Sequence, residues 1–166
     1  MNNSIENGLI VAILFIIIFI PIYLSVRNSR YKKKKKIKHE LYLLGQHHNL
    51  SFQVVEQLDS FALVADKIKK VIVKVNLKDY SPELISLENI IDCTLEEKKQ
   101  GNNIQQLQLV LWDGKQQPLH NIVFYRQYVD NEGHLKRTAQ IAAQWEEMIK
   151  AIITGRVSFL PVEKRI

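Results

Sequence analysis

From Gly8 to Val26 the chain reads GLIVAILFIIIFIPIYLSV, nineteen residues without a charge, and the twelve that follow carry eight Lys and Arg and no acid. A helix of nineteen residues spans roughly 28 Å at about 1.5 Å per residue, close to the ~30 Å hydrocarbon core of a bilayer. The run shows no polar face of the kind an amphipathic core helix carries. A cleaved signal would need a basic lead and a small-x-small site, but only Met-Asn-Asn-Ser-Ile-Glu-Asn precedes it and no such site follows. The pattern predicts a transmembrane helix over 8–26. Pro21 is tolerated there because membrane helices re-satisfy a lost backbone bond, and Tyr23 suits the polar interface.

Orientation follows from the basic residues Arg27, Arg30, Lys32, Lys33, Lys34, Lys35, Lys36 and Lys38, all on the C-terminal side of the run. The positive-inside rule then predicts a single-pass protein of the inner (cytoplasmic) membrane. Residues 1–7 would lie outside, with everything after the polybasic segment 27–38 in the cytoplasm. Each of these cations adds on the order of 1 kcal/mol of attraction to an anionic leaflet, so the cluster is read as an electrostatic contact with the membrane surface. Of the 23 Lys and Arg, these eight are the local excess; the remaining 15 face 17 Asp and Glu. The pI of 9.4 therefore does not describe a global field, and nucleic acid is not an expected partner. Cys93 is the sole cysteine, which excludes an intramolecular disulfide or a Cys-based zinc site and fits a reducing compartment.

Beyond the basic run the periodicity is first helical and then extended. Ile37, Leu41 and Leu44 recur at i, i+4, i+7 with Gly45 as a stop, which places a helix and linker over 39–50. The apolar helix could continue through the lysines to Gly45 or break at Asn28-Ser29; the sequence is compatible with both. The folded domain is expected over 51–155. Phe61–Ala65 and Val71–Val75 read as a hairpin, Leu77–Glu83 as a turn, and Ile90–Leu95 as a strand closed by a polar loop over 96–103. Ile104–Trp112 alternates apolar and polar residues, Asp113-Gly114 marks a turn, and Leu119–Tyr125 returns. Leu135, Thr138, Ile141, Ala142, Trp145, Met148, Ile149 and Ile152 form a helical stripe that Gly155 would end. A C-terminal tail over 156–166 carries Val157, Phe159, Leu160, Pro161 and Val162. The expected class is α+β: an N-terminal transmembrane helix, then a bent antiparallel sheet closed by a C-terminal amphipathic helix.

Several segments together carry a resemblance: LYLLGQHHNLS, FALVADKIKKVIVKV, ISLENIIDCTL, the pair IQQLQLVLWDG and HNIVFYRQ, and AQIAAQWEEMIKAI. From about Leu41 to Ile153 the chain resembles the pleckstrin-homology-like domains of small bacterial single-pass membrane proteins, mostly without assigned function. The resemblance implies a bent sheet capped by the last helix, serving as a binding platform for lipids, peptides or proteins. It also implies, by the use of basic residues on the first hairpin, that Lys67, Lys69, Lys70 and Lys74 contact a lipid or a partner. The bland reading of those four is a solvated turn that blunts a sheet edge.

No catalytic or metal signature accompanies these patterns. Adjacent His47 and His48 diverge by about 100° on a helix, and His39, His120 and His134 stand apart with no HExxH spacing. Neighbours such as Glu96-Glu97 on a strand or Glu146-Glu147 on a helix face different ways, so neither pair is posed for acid/base work. Cys93 in a predicted strand reads as a small buried hydrophobe. No cofactor is expected and the chain is not read as an enzyme. The function expected is that of a membrane-anchored, non-enzymatic cytoplasmic binding module, an adaptor or assembly factor for an unidentified protein partner. The alternative is a sensor of anionic lipid headgroups through the juxtamembrane and hairpin lysines. Oligomeric state is not legible.

Overall fold

Strands that are apolar on both sides need cover on both faces, and the run Phe61-Ala62-Leu63-Val64-Ala65 sets the centre of the fold in that way. The computed structural model describes residues 16, 18–21, 23, 35–101 and 103–155. Its chain divides into two units, Met1–Leu43 and Leu44–Ile166. In the second unit, β1 (Val54–Gln57), β2 (Phe61–Asp66), β3 (Val71–Asn76) and β4 (Pro82–Ser86) form a four-stranded sheet in that order. A separate three-stranded sheet contains β5 (Asp92–Gln100), β6 (Asn103–Trp112) and β7 (Pro118–Arg126). All neighbours are antiparallel.

The core forms where one face of each sheet meets the last helix. Phe61, Leu63, Ala65, Ile72 and Ile85 come from the first sheet, and Cys93, Leu107, Leu109, Leu111, Ile122 and Phe124 from the second. The rings of Phe61 and Phe124 meet edge-on at 5.7 Å and 75°, joining the sheets. The C-terminal helix, Leu135–Ile153, buries Thr138, Ala142, Trp145, Ile149 and Ile152, a stripe at steps of four and three, and packs mainly on β5. A one-turn 3-10 segment, Glu132–His134, leads into it, with the Asn131 side chain accepting from the Gly133 N–H at 2.9 Å. The other face of β2 and β3 is closed as well, since Ala62, Val64, Val73 and Val75 are fully buried.

A helix over 35–48 precedes the sheets and runs three residues past Gly45. Its stop is at Asn49, which takes the left-handed φ of 52°, with the Leu50 N–H reaching back to the Gly45 carbonyl at 2.8 Å. This is the bond pattern of a Schellman end, and Asn is the commonest substitute for glycine there. Gly45 serves that closure by its smallness, because a Cβ would sit 3.2 Å from the Leu50 carbonyl oxygen.

The expected class is corrected on two counts. The single bent sheet is two sheets, because β4 and β5 do not pair and the chain between them turns inward to bury Leu87 and Ile90. Among the described residues, no helix is long and apolar enough to cross a membrane. The helical residues 35–48 expose Lys35, Lys36 and Lys38. Within the run expected to span, residues 16, 18–21 and 23 are helical and the described side chains among them, such as Ile16, Phe19 and Tyr23, are exposed; the remainder of 8–26 lies outside the described residues. The described residues thus do not bear out the expected transmembrane helix, nor the single-pass topology and inner-membrane placement with the N-terminus outside that depended on it. The polar stretch expected as a loop over 96–103 instead extends β5 to Gln100, turning at Gly101 with φ 59°. Its charged residues need no core because each pairs only with β6.

Candidate functional site

The turn between β2 and β3 is built on one carboxylate. Asp66 ends β2 with 1% of its surface exposed, and its oxygens accept from three backbone N–H groups: Ser51 at 2.7 Å, and Ile68 and Lys69 at 3.0 Å each. By holding three backbone N–H groups at once, Asp66 fixes the path of 67–70, and Lys70 completes the turn in the left-handed region at φ 53°. Ile68 is thereby held outward, 79% exposed, which costs hydrophobic free energy unless something covers it.

Ile68 overlooks an open cleft of about 600 Å³. Its apolar lining is completed by Leu50, Val71 and Leu84, and its polar rim by Lys69, Lys70, His48 and Glu88. The Lys69 ammonium donates to the His48 carbonyl at 3.2 Å, spanning one end. The four hairpin lysines thus do not form a single lobe. Lys69 and Lys70 line the cleft and Lys67 is half-buried in the same turn. Lys74 pairs with Glu83 at 3.1 Å and lies 5.8 Å from the centre of the Phe61 ring, a core residue, on the opposite face of the sheet. Of the basic cluster, Lys35, Lys36 and Lys38 are exposed on the helix over 35–48, while Arg27, Arg30, Lys32, Lys33 and Lys34 lie outside the described residues.

One wall of the cleft is β4, which among the described residues pairs only with β3. The Leu87 N–H donates to the Lys70 carbonyl at 2.8 Å and the Asn76 N–H to the Ser81 carbonyl at 3.0 Å. By the alternation of an antiparallel ladder, 83 and 85 also face β3, and the backbone groups of Pro82, Leu84 and Ser86 point to the open side. Among the described residues the N–H donors of Leu84 and Ser86 therefore have no strand partner, at an edge whose side chain Leu84 is 41% exposed. The chain matches no family model, no curated protein and no solved structure. What the site can do is carried by its own geometry.

Ile68, Leu84 and Glu88 were invisible as site residues in the sequence, because they come together only through the pairing register. The signal that existed was Pro82: proline is accepted at the first residue of a strand and on edges, so a strand beginning there advertises an open side.

The other candidates resolve into structure. Cys93 is fully buried in the core, and its thiol is pushed up to about 12 by burial first and by the negative charge of Glu146 second. Nucleophilic or metal-binding cysteine needs the thiolate. At pH 8 the folded protein should hold roughly a thousandfold less Cys93 thiolate than the unfolded chain, whose thiol has its ordinary value near 9. Iodoacetamide should accordingly label Cys93 only in denaturant; fast labelling of the native protein would refute this burial. The folded thiol keeps its proton to higher pH than the unfolded one. Its contribution to stability is thus intact below pH 9 and falls as pH rises from 9 towards about 12. The rings of His47 and His48 stack at 5.2 Å, and among the described residues no three His, Cys, Asp or Glu converge on a metal position. His134 pairs with Asp59 at 2.7 Å, Glu146 with Lys150 at 2.7 Å, and Glu97 with Lys99 at 2.7 Å. Glu96 accepts from the Gln108 side-chain amide at 3.1 Å.

Proposed function

We propose that this chain is a non-enzymatic binding module for a protein partner, acting as an adaptor or assembly factor. The observation that carries the reading is the edge of β4, unpaired among the described residues, beside an open cleft with apolar walls and a partly basic rim. Stable protein contacts are built around apolar anchors within a polar rim, and Ile68 and Leu84 are such anchors. The succession of four strands, three strands and a closing helix supports treating the domain as pleckstrin-homology-like, a fold whose sites are surfaces. The lipid-headgroup alternative would draw on Lys67, Lys69, Lys70 and Lys74 together, and it is weakened by Lys74 pairing with Glu83 and by Glu88 on the rim.

Photo-crosslinking in living cells tests the reading. A photoreactive phenylalanine analogue at Ile68 of the full chain should give a discrete protein adduct, and the same analogue on the exposed loop at Tyr128 should not. Adducts to lipid alone, or none at Ile68 and Leu84, would overturn it.

A further inference from the structure

Among the described residues the two sheets leave four strand edges, β1, β4, β5 and β7, and two of them are blunted. β5 carries Glu96, Glu97, Lys98 and Lys99 in succession, with a register shift between Lys98 and Lys99. β7 begins with Pro118 and its pairing with β6 shifts twice. Charges, proline and bulges are the usual means by which an edge is kept from pairing. β1 is an open edge as well, but none of its residues lines the cleft. In β4, Pro82 removes a donor only at the start, so the competent stretch is Leu84–Ser86, the part that adjoins the cleft.

The lining of the cleft decides what could pair there. Lys69 and Lys70 stand against one carboxylate, that of Glu88, and the Lys70 ammonium has no ion-pair partner among the described residues. Leu84 shares a face with Val73 and Ser86 with Val71, so alternate side chains of a strand added to β4 would fall on the face where Ile68 and Leu84 are exposed. We infer that the edge of β4 receives an extended acidic segment of a partner protein by strand addition, with a carboxylate at Lys70 and an apolar side chain against Ile68 and Leu84. Backbone pairing supplies affinity in this mode, and the pockets for alternate side chains supply selectivity. The inference rests on the reading of the chain as a protein-binding module and specifies its partner.

A displayed library of random dodecapeptides, selected on the immobilised full chain, is the probe. Selected peptides should be enriched in Asp or Glu two residues away from a β-branched or aromatic residue, the spacing that puts both on one face of a strand. Leu84→Pro removes an outward N–H without taking a donor from the β3 pairing, and Leu84→Thr, which also loses the leucine side chain but keeps the N–H, is its control; amide exchange of the β3 N–H groups checks that the pairing survives. Leu84→Pro should weaken binding about tenfold or more relative to Leu84→Thr, the size expected for one lost hydrogen bond with its neighbours. Lys70→Glu should abolish it and Lys70→Arg should keep it within about threefold. N-methylation of the peptide should be harmful at alternate amides only. Peptides without acidic enrichment, or indifferent to Leu84→Pro, would overturn the inference while leaving a binding module with another surface. Failure to select any peptide alongside a protein adduct at Ile68 would also overturn it in favour of a folded partner. Failure of both experiments would remove the binding-module reading itself.

Discussion

Replacing Asp66 with alanine should destabilise the second unit by roughly 2–4 kcal/mol, because a buried carboxylate that accepts three backbone N–H groups leaves all three without a partner when it is removed. The donors belong to Ser51, Ile68 and Lys69, so the damage falls on both sides of the cleft at once. Asp66→Asn keeps one acceptor oxygen for the Ile68 and Lys69 N–H groups but turns an amide towards Ser51, and its loss should be intermediate. Denaturant unfolding measures the size, and amide exchange locates it. The Ser51, Ile68 and Lys69 amides should exchange faster in Asp66→Ala, with the amides of β6 following only the global change. A loss below about 1 kcal/mol would mean that water replaces the carboxylate at little cost. Because the same turn presents Lys70 and Ile68, peptide binding should weaken in step.

Trp145→Ala should cost more, roughly 3–5 kcal/mol, since it removes the largest side chain of the helix stripe from a site 3% exposed. Trp145 packs in the cluster that contains Leu109, Leu111 and Ile149, so the void opens where the helix meets the second sheet. Trp145→Phe should retain more than half of that stability by filling most of the volume. Urea unfolding of the three proteins decides it, and a loss under about 1.5 kcal/mol for alanine would show that the helix settles into the space. The β2–β3 turn lies away from the helix, so Trp145→Ala should leave residual binding at the cleft in the folded fraction, in contrast to Asp66→Ala.

The sequence was most legible where burial and periodicity agree. The hairpin of β2 and β3 stood out because β-branched and apolar residues fill most of both its faces, and the closing helix because its stripe persists over five buried residues from Thr138 to Ile152. β1 and β4 were not read as strands, since each is short and turns only part of its surface inward: β4 buries Ile85 alone. The division into two sheets was equally hidden, because pairing between β4 and β5 is decided by where Leu87 and Ile90 are drawn into the core. The apolar run near the N-terminus was read by composition as a spanning helix, and no described helix meets the length and apolarity that such a span requires. At the site, the lysines of the turn were legible as a charge pattern. Their separation into a pair at the cleft and one engaged with Glu83 depends on which face each position takes, and that is a matter of register.

The closure of β2 has a consequence for misfolding. Phe61–Ala65 contains five apolar residues without charge, proline or glycine, the composition of a segment that stacks into cross-β fibrils when exposed. In the native fold none of the five exceeds 4% exposure, and the charges of Asp66, Lys67, Lys69 and Lys70 follow at once, where gatekeepers against self-association are placed. Conditions that loosen β1 or the turn at Asp66 therefore do more than weaken a docking surface: they uncover the stretch of chain best suited to aggregate.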